Sequence, residues 1–124
     1  MNDELLLKEI FNVSDEIRYV ALYRDGELVS AARPGLEDAS AAESDRYEEL
    51  LVNPTLLTLT RQRGRIDCGG CNFVLIRYGN FFQFVTPVRG GHASVCIGPE
   101  APVLSLVEKI YEVLGAEREK DIMS

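Results

Sequence analysis

The 124-residue sequence lacks several features that define broad classes of protein. It has no apolar run near the ~18 residues that span a bilayer, so we expect no membrane insertion. Its net charge of −7 argues against nucleic acid as a partner, because binding to phosphates normally needs a basic patch. Its three cysteines are an odd number and do not indicate a disulfide framework. Its first residues are acidic where a secretory signal would be basic, so we expect a cytoplasmic protein.

The sequence does contain enough apolar material for one globular domain. Hydrophobic residues make up 46% of the chain, and a chain of this length buries roughly two thirds of its unfolded surface. We expect a single domain over residues 1–115. Residues 116–124 are charged and are predicted to form a flexible C-terminal tail.

Two amphipathic helices are predicted near the ends of the chain. Residues 4–11 place leucine, isoleucine and phenylalanine side chains on one broad arc. Residues 103–114 repeat apolar side chains at i, i+3, i+4 and i+7. Pro102 suits the first turn of the second helix, and Gly115 suits its end.

A third helical pattern occupies the middle of the chain. Ser40 precedes a glutamate by three residues, which is the spacing of a capping box and predicts a helix start. Asn53 and Pro54 interrupt the pattern, and Asn53 is a good N-cap for a second, kinked piece that runs to Arg63. Gly64 is predicted to be the C-terminal cap of this piece.

The middle helix has apolar side chains on two faces. The two pieces are taken as nearly collinear, with about 100° of rotation per residue. One arc then holds Tyr47, Leu50, Leu51 and Leu57, and the roughly opposite arc holds Val52, Leu56 and Leu59. One sheet cannot cover both faces. Either the helix is buried in the core, or its second face contacts another subunit.

Alternating and apolar runs predict five strands. Residues 18–24 and 27–33 flank Asp25-Gly26, a strong hairpin signal. Three further runs, rich in aromatic and β-branched residues, predict a β-meander with turns at Gly79-Asn80 and Arg89–Gly91: residues 72–78, 81–85 and 92–97. The predicted fold class is α+β, with a five-stranded antiparallel sheet, helices on both faces and the order α-β-β-α-β-β-β-α.

The Cys68-Gly69-Gly70-Cys71 segment is the one motif with known chemical uses. A structural zinc site needs about four ligands, and the remaining candidates, His92 and Cys96, are about 13 Å apart on an extended strand at ~3.3 Å per residue. We therefore predict no complete metal site and no cofactor. Three interpretations stay open: a tight turn flanked by small thiols, a redox pair, or a half-site completed by a partner.

No catalytic residues are predicted. His92 could serve as a base, but the sequence places no nucleophile and orienting group beside it, and Ser94 has the position of an ordinary strand residue. Four carboxylates of the middle helix are predicted to form a solvated face: Glu43, Asp45, Glu48 and Glu49. Arg61, Arg63 and Arg65 form a basic cluster that is typical of solvation and of charge compensation at a helix C-terminus.

The order of elements, the hairpin segment Ile17-Arg18-Tyr19-Val20-Ala21-Leu22-Tyr23-Arg24-Asp25-Gly26-Glu27-Leu28-Val29-Ser30 and the meander resemble the roadblock family, over nearly the whole chain. Residues 64–71 and 75–81 resemble uncharacterised archaeal proteins of roadblock-like shape. The resemblance implies a non-enzymatic domain with a profilin-like fold that dimerises through its middle helix and an adjoining edge strand. It also implies a platform or regulator of small GTPases.

The expected function is therefore a homodimeric protein-interaction platform, with a small GTPase as partner. The alternative is a small-molecule or redox-sensing domain that uses the pair of Cys68 and Cys71. The candidates for the dimer or partner interface are Tyr47, Leu50, Leu51, Leu57, Phe73 and Leu75.

Overall fold

The computed structural model describes residues 2–34 and 42–119. Its centre is one antiparallel sheet with the strand order β2-β1-β5-β4-β3. The strands are β1 (Ile17–Arg24), β2 (Glu27–Ala32), β3 (Val74–Arg77), β4 (Phe82–Val88) and β5 (Gly91–Ile97). The predicted α+β class and its element order are confirmed, and the meander supplies two inner strands and one edge.

Within the described residues, four α-helices accompany the sheet: α1 (Asp3–Phe11), α2 (Ala42–Tyr47), α3 (Asn53–Asp67) and α4 (Val103–Leu114). The side chain of Asn2 caps α1 by accepting a hydrogen bond from the Leu5 amide at 2.8 Å. The predicted helix start at Ser40 lies outside the described residues. Both predicted terminal helices are confirmed within about one residue.

The hairpin between β1 and β2 has the turn that its sequence predicts. Asp25 and Gly26 both have positive φ angles, 53° and 83°. A two-residue turn with positive φ at both positions matches the right-handed twist of the paired strands. The turn fixes the register in which Arg24 pairs with Glu27 and Tyr19 with Ala32.

The main hydrophobic core lies between the sheet and the helices α1 and α4. Alternate residues of the strands face it, because successive side chains of a strand point to opposite sides of a sheet. Its fully buried members include Leu6, Ile10, Val20, Leu22, Phe84, Val95 and Ile110. The terminal helices therefore supply most of the apolar packing that holds this sheet.

The middle helix is continuous through Asn53 and Pro54. A π-helical turn, Glu48–Val52, joins α2 to α3, and the Asn53 amide donates to the carbonyl of Glu48. Proline lacks an amide hydrogen and disturbs the preceding α-helical turn, and the wider turn accommodates this defect. The predicted N-cap at Asn53 is wrong, because this residue has helical backbone angles and lies inside the helix.

Gly64 is an interior residue of α3, so the prediction of a C-terminal cap at Gly64 is wrong. The helix continues to Asp67, and the carbonyl of Gly64 accepts hydrogen bonds from the amides of Cys68 and Gly70. A Cβ atom on Gly64 would lie 2.7 Å from the carbonyl carbon and oxygen of Gly70. The glycine is therefore required by the close approach of the returning chain, and not by a left-handed backbone.

Residues 116–119, the first part of the predicted tail, contact the sheet, and residues 120–124 lie outside the described residues. The Arg89 amide donates to the carbonyl of Glu117 at 3.0 Å, and Val88 forms a β-bridge with Arg118. Arg24 forms ion pairs with Glu117, at 2.6 Å, and with Asp3. These contacts fix the segment beside the hairpin that joins β4 to β5.

Candidate functional site

The outer side of the middle helix carries an apolar surface. Among the described residues, five of the eight large hydrophobic side chains that are exposed belong to this helix. Four of them, which we call the outer stripe, are Tyr47, Leu51, Leu59 and Ile66, and their side chains are 62, 51, 60 and 75% exposed. Leu50, 38% exposed, flanks the stripe.

The π-helical turn determines which side chains reach the outer stripe. Its i→i+5 hydrogen bonds insert extra residues, so it rotates the following helix by about a quarter of a turn. Leu57 consequently lies opposite Tyr47 and Leu51, and it is only 6% exposed. The predicted grouping of Leu57 with those residues assumed an uninterrupted α-helical period.

The other two predicted interface residues lie at the edge strand. Leu75 is half-buried and packs on the main core. The ring of Phe73 is 39% exposed, and its centroid lies 5.3 Å from that of Phe84 and 5.8 Å from that of Tyr111. Both side chains therefore anchor the edge strand to the core, and Phe73 also presents an apolar surface beside it.

The cysteine motif lies between α3 and β3. Cys68 is exposed, and its Sγ lies 3.3 Å from both the Arg63 guanidinium and the Asp67 carboxylate. No disulfide joins it to Cys71, whose Sγ contacts the carbonyl of Phe73 at 3.6 Å. Thiolates are stabilised at helix N-termini, whereas Cys68 directly follows the C-terminus of α3. The positions of Cys68 and Cys71 therefore give a redox function no additional support.

A buried polar network lies between the middle helix and the sheet. Glu49 is 0% exposed, and its carboxylate contacts His92 Nε2 at 2.7 Å and accepts from Ser94 Oγ at 2.6 Å. Asn53 Nδ2 donates to the same carboxylate at 3.0 Å. The predicted solvated position of Glu49 is wrong, because the helix turns this carboxylate toward the sheet.

Two sequence signals could have located this network. His92 and Ser94 are two residues apart on a strand and therefore share a face. Glu49 and Asn53 are four residues apart on a helix and share a face as well. Neither pair indicates that the two faces meet, because that depends on the π-helical turn and on the packing of the helix across the sheet.

Side chains near this network, between the middle helix and the sheet, have raised pKa values. Burial, followed by the charge of Glu48, raises the pKa of Tyr78 to about 12, and the Tyr78 hydroxyl donates to Glu48 at 3.1 Å. Burial also raises the pKa of Glu48 and, more strongly, that of the Cys96 thiol. Cys96 Sγ donates to Gln83 Oε1 at 3.0 Å, so it is held as a neutral donor in the layer.

Two cavities open on the flanks of the middle helix. One, of about 570 Å³, is bordered by Tyr19, Glu48 and Tyr78. The other, which we call the arginine pocket, has a volume of about 290 Å³ and is bordered by Arg61, Arg65 and His92. In residues 2–34 and 42–119, no group of three His, Cys, Asp or Glu side chains is arranged to hold a metal ion.

No helix within the described residues is long and apolar enough to cross a membrane.

Comparison with known proteins identifies similar folds. No protein-family model matches the sequence, and no curated protein matches it. A Roadblock/LC7 domain from Streptomyces avermitilis is similar in structure, with a TM-score of 0.70, 18% identity and 92% of each chain covered. MglB in a tetrameric arrangement gives a TM-score of 0.67 at 13% identity, with 96% of this chain and 89% of that chain covered.

The gliding protein MglB from Thermus thermophilus is also similar, with a TM-score of 0.63 and 12% identity. The match covers 93% of this chain and 87% of that chain. The overall fold is thus similar over almost the full length of these structures. The chain has the roadblock fold.

Proposed function

We propose that this chain is a non-catalytic, homodimeric platform for protein interaction and that its partner is a small GTPase. The observation that carries the proposal is the outer stripe of the middle helix. Single exposed apolar side chains are normal on a protein surface, whereas several large ones on the same face of one helix indicate an interaction site. The row is opposite the face that the helix buries, so packing within the chain does not explain it.

A second copy of the chain is the partner that fits the outer stripe best. The stripe runs along one helix, and a two-fold axis across that helix would pair the row with itself. Residues 68–73 lead from the end of α3 directly into β3, which is an edge strand. An unpaired strand edge invites pairing with another strand, so the helix row and the edge together offer a continuous surface for association.

The buried network supports a structural role for the two residues that most resemble catalytic ones. His92 and Ser94 are 2% and 0% exposed, and both contact the carboxylate of Glu49. A nucleophile needs access to its substrate and a base within hydrogen-bond reach. Ser94 donates to an acidic acceptor inside the protein, an arrangement that serves packing better than attack on a substrate.

The GTPase part of the proposal rests on the resemblance to the roadblock family and on its structural relatives. The family resemblance implies small GTPases as partners. One similar structure is described as MglB in a tetrameric arrangement, and another as a gliding protein. The tetrameric arrangement of that MglB structure supports association as a property of a related fold.

Dimerisation is tested by light scattering coupled to gel filtration. At low micromolar concentration, the expected mass is twice 13.8 kDa. Leu51→Lys places a charge in the outer stripe and should weaken the dimer at least ~10-fold, since burying an unpaired charge costs several kcal/mol. Leu104→Lys is the matched control, because Leu104 is 72% exposed on α4, away from the stripe. A monomeric wild-type protein would contradict the proposal.

The GTPase partner is tested separately by pull-down against small GTPases of the same organism in their GDP and GTP-analogue states. Binding should depend on the nucleotide state. A dimer that captures no GTPase in either state would leave dimerisation intact and would contradict the assignment of the partner. Loss of GTPase binding in the Leu51→Lys variant, with binding retained in Leu104→Lys, would indicate that the GTPase binds to the dimer.

A further inference from the structure

The arginine pocket lies on a flank of α3, between the outer stripe and the sheet. Its helix side includes Thr58, Arg61 and Arg65, and its sheet side is formed by the turn at Gly90 and by His92. The pocket is a concavity of about 290 Å³ and therefore differs in shape and chemistry from the apolar stripe. The dimer proposal assigns it no role.

The positive charge of the pocket contrasts with the net charge of −7 of the chain. Arg61 and Arg65 are four residues apart on one helix, so their guanidinium groups border the same space. The Arg61 side chain is only 20% exposed. Partial shielding from water strengthens the attraction between this guanidinium and an anion.

One carboxylate of the chain already contacts the pocket. Arg61 Nη1 lies 3.4 Å from Glu119 Oε2, and the Glu119 side chain is 43% exposed. This distance is longer than the 2.7–2.9 Å typical of a strong charge-assisted hydrogen bond. The contact shows that a carboxylate is a suitable ligand for the Arg61 guanidinium.

The inner wall of the pocket is preformed. His92 is 2% exposed, and Glu49 holds its Nε2 at 2.7 Å, which fixes the orientation of the ring. Asp25 lies beside Gly90 on the sheet side, and its negative charge disfavours an anion there, whereas the arginines of the helix side favour one. A fixed wall lowers the entropy loss of binding because little has to be ordered.

We propose that the arginine pocket binds one small oxyanion, a phosphate or a carboxylate, through Arg61 and Arg65. The volume of about 290 Å³ is at the lower end of the range for ligand pockets. It suits inorganic phosphate or a small organic acid rather than a nucleotide. The proposal concerns a site on each protomer and does not depend on dimerisation or on a GTPase.

The test is a titration followed by amide chemical shifts, with inorganic phosphate in one series and acetate in another, at constant ionic strength. Saturable shifts are expected in residues 58–65 and 89–92. Arg61→Gln should weaken binding at least tenfold. The matched control is Arg63→Gln, because Arg63 is on the same helix, outside the pocket, and pairs with Asp67 at 2.6 Å. Its affinity should equal that of the wild type.

The two series also distinguish the ligands. Saturation by phosphate alone would identify a phosphate site. Saturation by both anions would identify a general oxyanion site. Either result would support the proposal. Absence of saturation up to ~10 mM, a range that detects a millimolar Kd, would overturn it. Equal weakening by Arg61→Gln and Arg63→Gln would also overturn it, since the effect would then be one of overall charge. The amide spectrum of each variant verifies that it is folded.

Discussion

Replacing Glu49 with alanine should destabilise the protein by about 4 kcal/mol, because the carboxylate is the common acceptor of a buried network. His92 Nε2, Ser94 Oγ and Asn53 Nδ2 all contact it within 3.0 Å, and all three residues are at most 2% exposed. The variant removes the acceptor and leaves these polar groups inside the protein. Removal of one partner of a buried polar group costs more than the net contribution of the bond.

The magnitude follows from the number of groups left unpaired. Each buried donor without an acceptor costs ~1–3 kcal/mol, which gives about 3–9 kcal/mol for three. Water entering the space vacated by the Glu49 side chain would satisfy some of them, and measured losses for broken buried pairs are ~3–5 kcal/mol. With a urea m-value of ~2 kcal/mol/M, about 4 kcal/mol lowers the unfolding midpoint by ~2 M.

The assay is urea unfolding followed by circular dichroism, at one fixed protein concentration because dimerisation would contribute to the apparent stability. Glu108→Ala is the matched control, since Glu108 is an exposed carboxylate on α4. Its free energy of unfolding should change by no more than ~0.5 kcal/mol. If Glu49→Ala behaves like Glu108→Ala, the carboxylate is hydrated and the reasoning from burial is refuted.

Two further predictions concern a close backbone approach and an ion pair. Gly64→Ala should lower the midpoint of urea unfolding, because a clash at 2.7 Å with the carbonyl of Gly70 outweighs the gain of ~1 kcal/mol in helix propensity. Gly79→Ala is the control and should not lower the midpoint, because Gly79 has open space around it. Glu117→Gln should lower the thermal midpoint at pH 7, because Arg24 holds the pKa of Glu117 below its usual value. A lowered folded pKa gives stability that is present above the unfolded pKa and lost as pH falls through the folded pKa, so the difference between variant and wild type should disappear in acid. A difference that persists at low pH would contradict this cause.

Local signals in the sequence were sufficient for the strands and the terminal helices. The Asp25-Gly26 turn depends on two residues that tolerate positive φ, and both adopt it. The α4 helix depends on a regular apolar period that matches one sheet face, and Leu106, Val107, Ile110 and Leu114 are buried as that period requires. In each case the residues that determine the element are contained within it.

The middle helix could not be predicted in the same way, because its orientation depends on a change of helical period. The π-helical turn at Glu48–Val52 shifts Leu57 from the outer side to the sheet. Glu49 is also buried, although the sequence has several carboxylates in this region that are typical of a solvated face. Burial of a carboxylate requires partners, and those partners lie more than forty residues away on β5.

The segment after α4 illustrates a similar limit. Charged residues at the end of a chain are typical of a flexible tail, yet Arg24 binds Glu117 and the backbone of β4 reaches residue 119. The ion-pair partner belongs to the second element of the fold, and no local pattern relates it to the C-terminus. Only the position of β1 beside the hairpin of β4 and β5 makes the contact possible.

The polar layer beneath the middle helix bears directly on the proposed interface. An apolar helix face can slide or rotate on a sheet with little change in buried area, whereas hydrogen bonds have narrow distance and angle requirements. Glu49 contacts His92 and Ser94 through different carboxylate oxygens, so the helix has one rotation that satisfies both bonds. That rotation directs Tyr47 and Leu51 outward. We therefore infer that the network positions the outer stripe, and that stability and the proposed self-association of this protein depend on the same buried carboxylate.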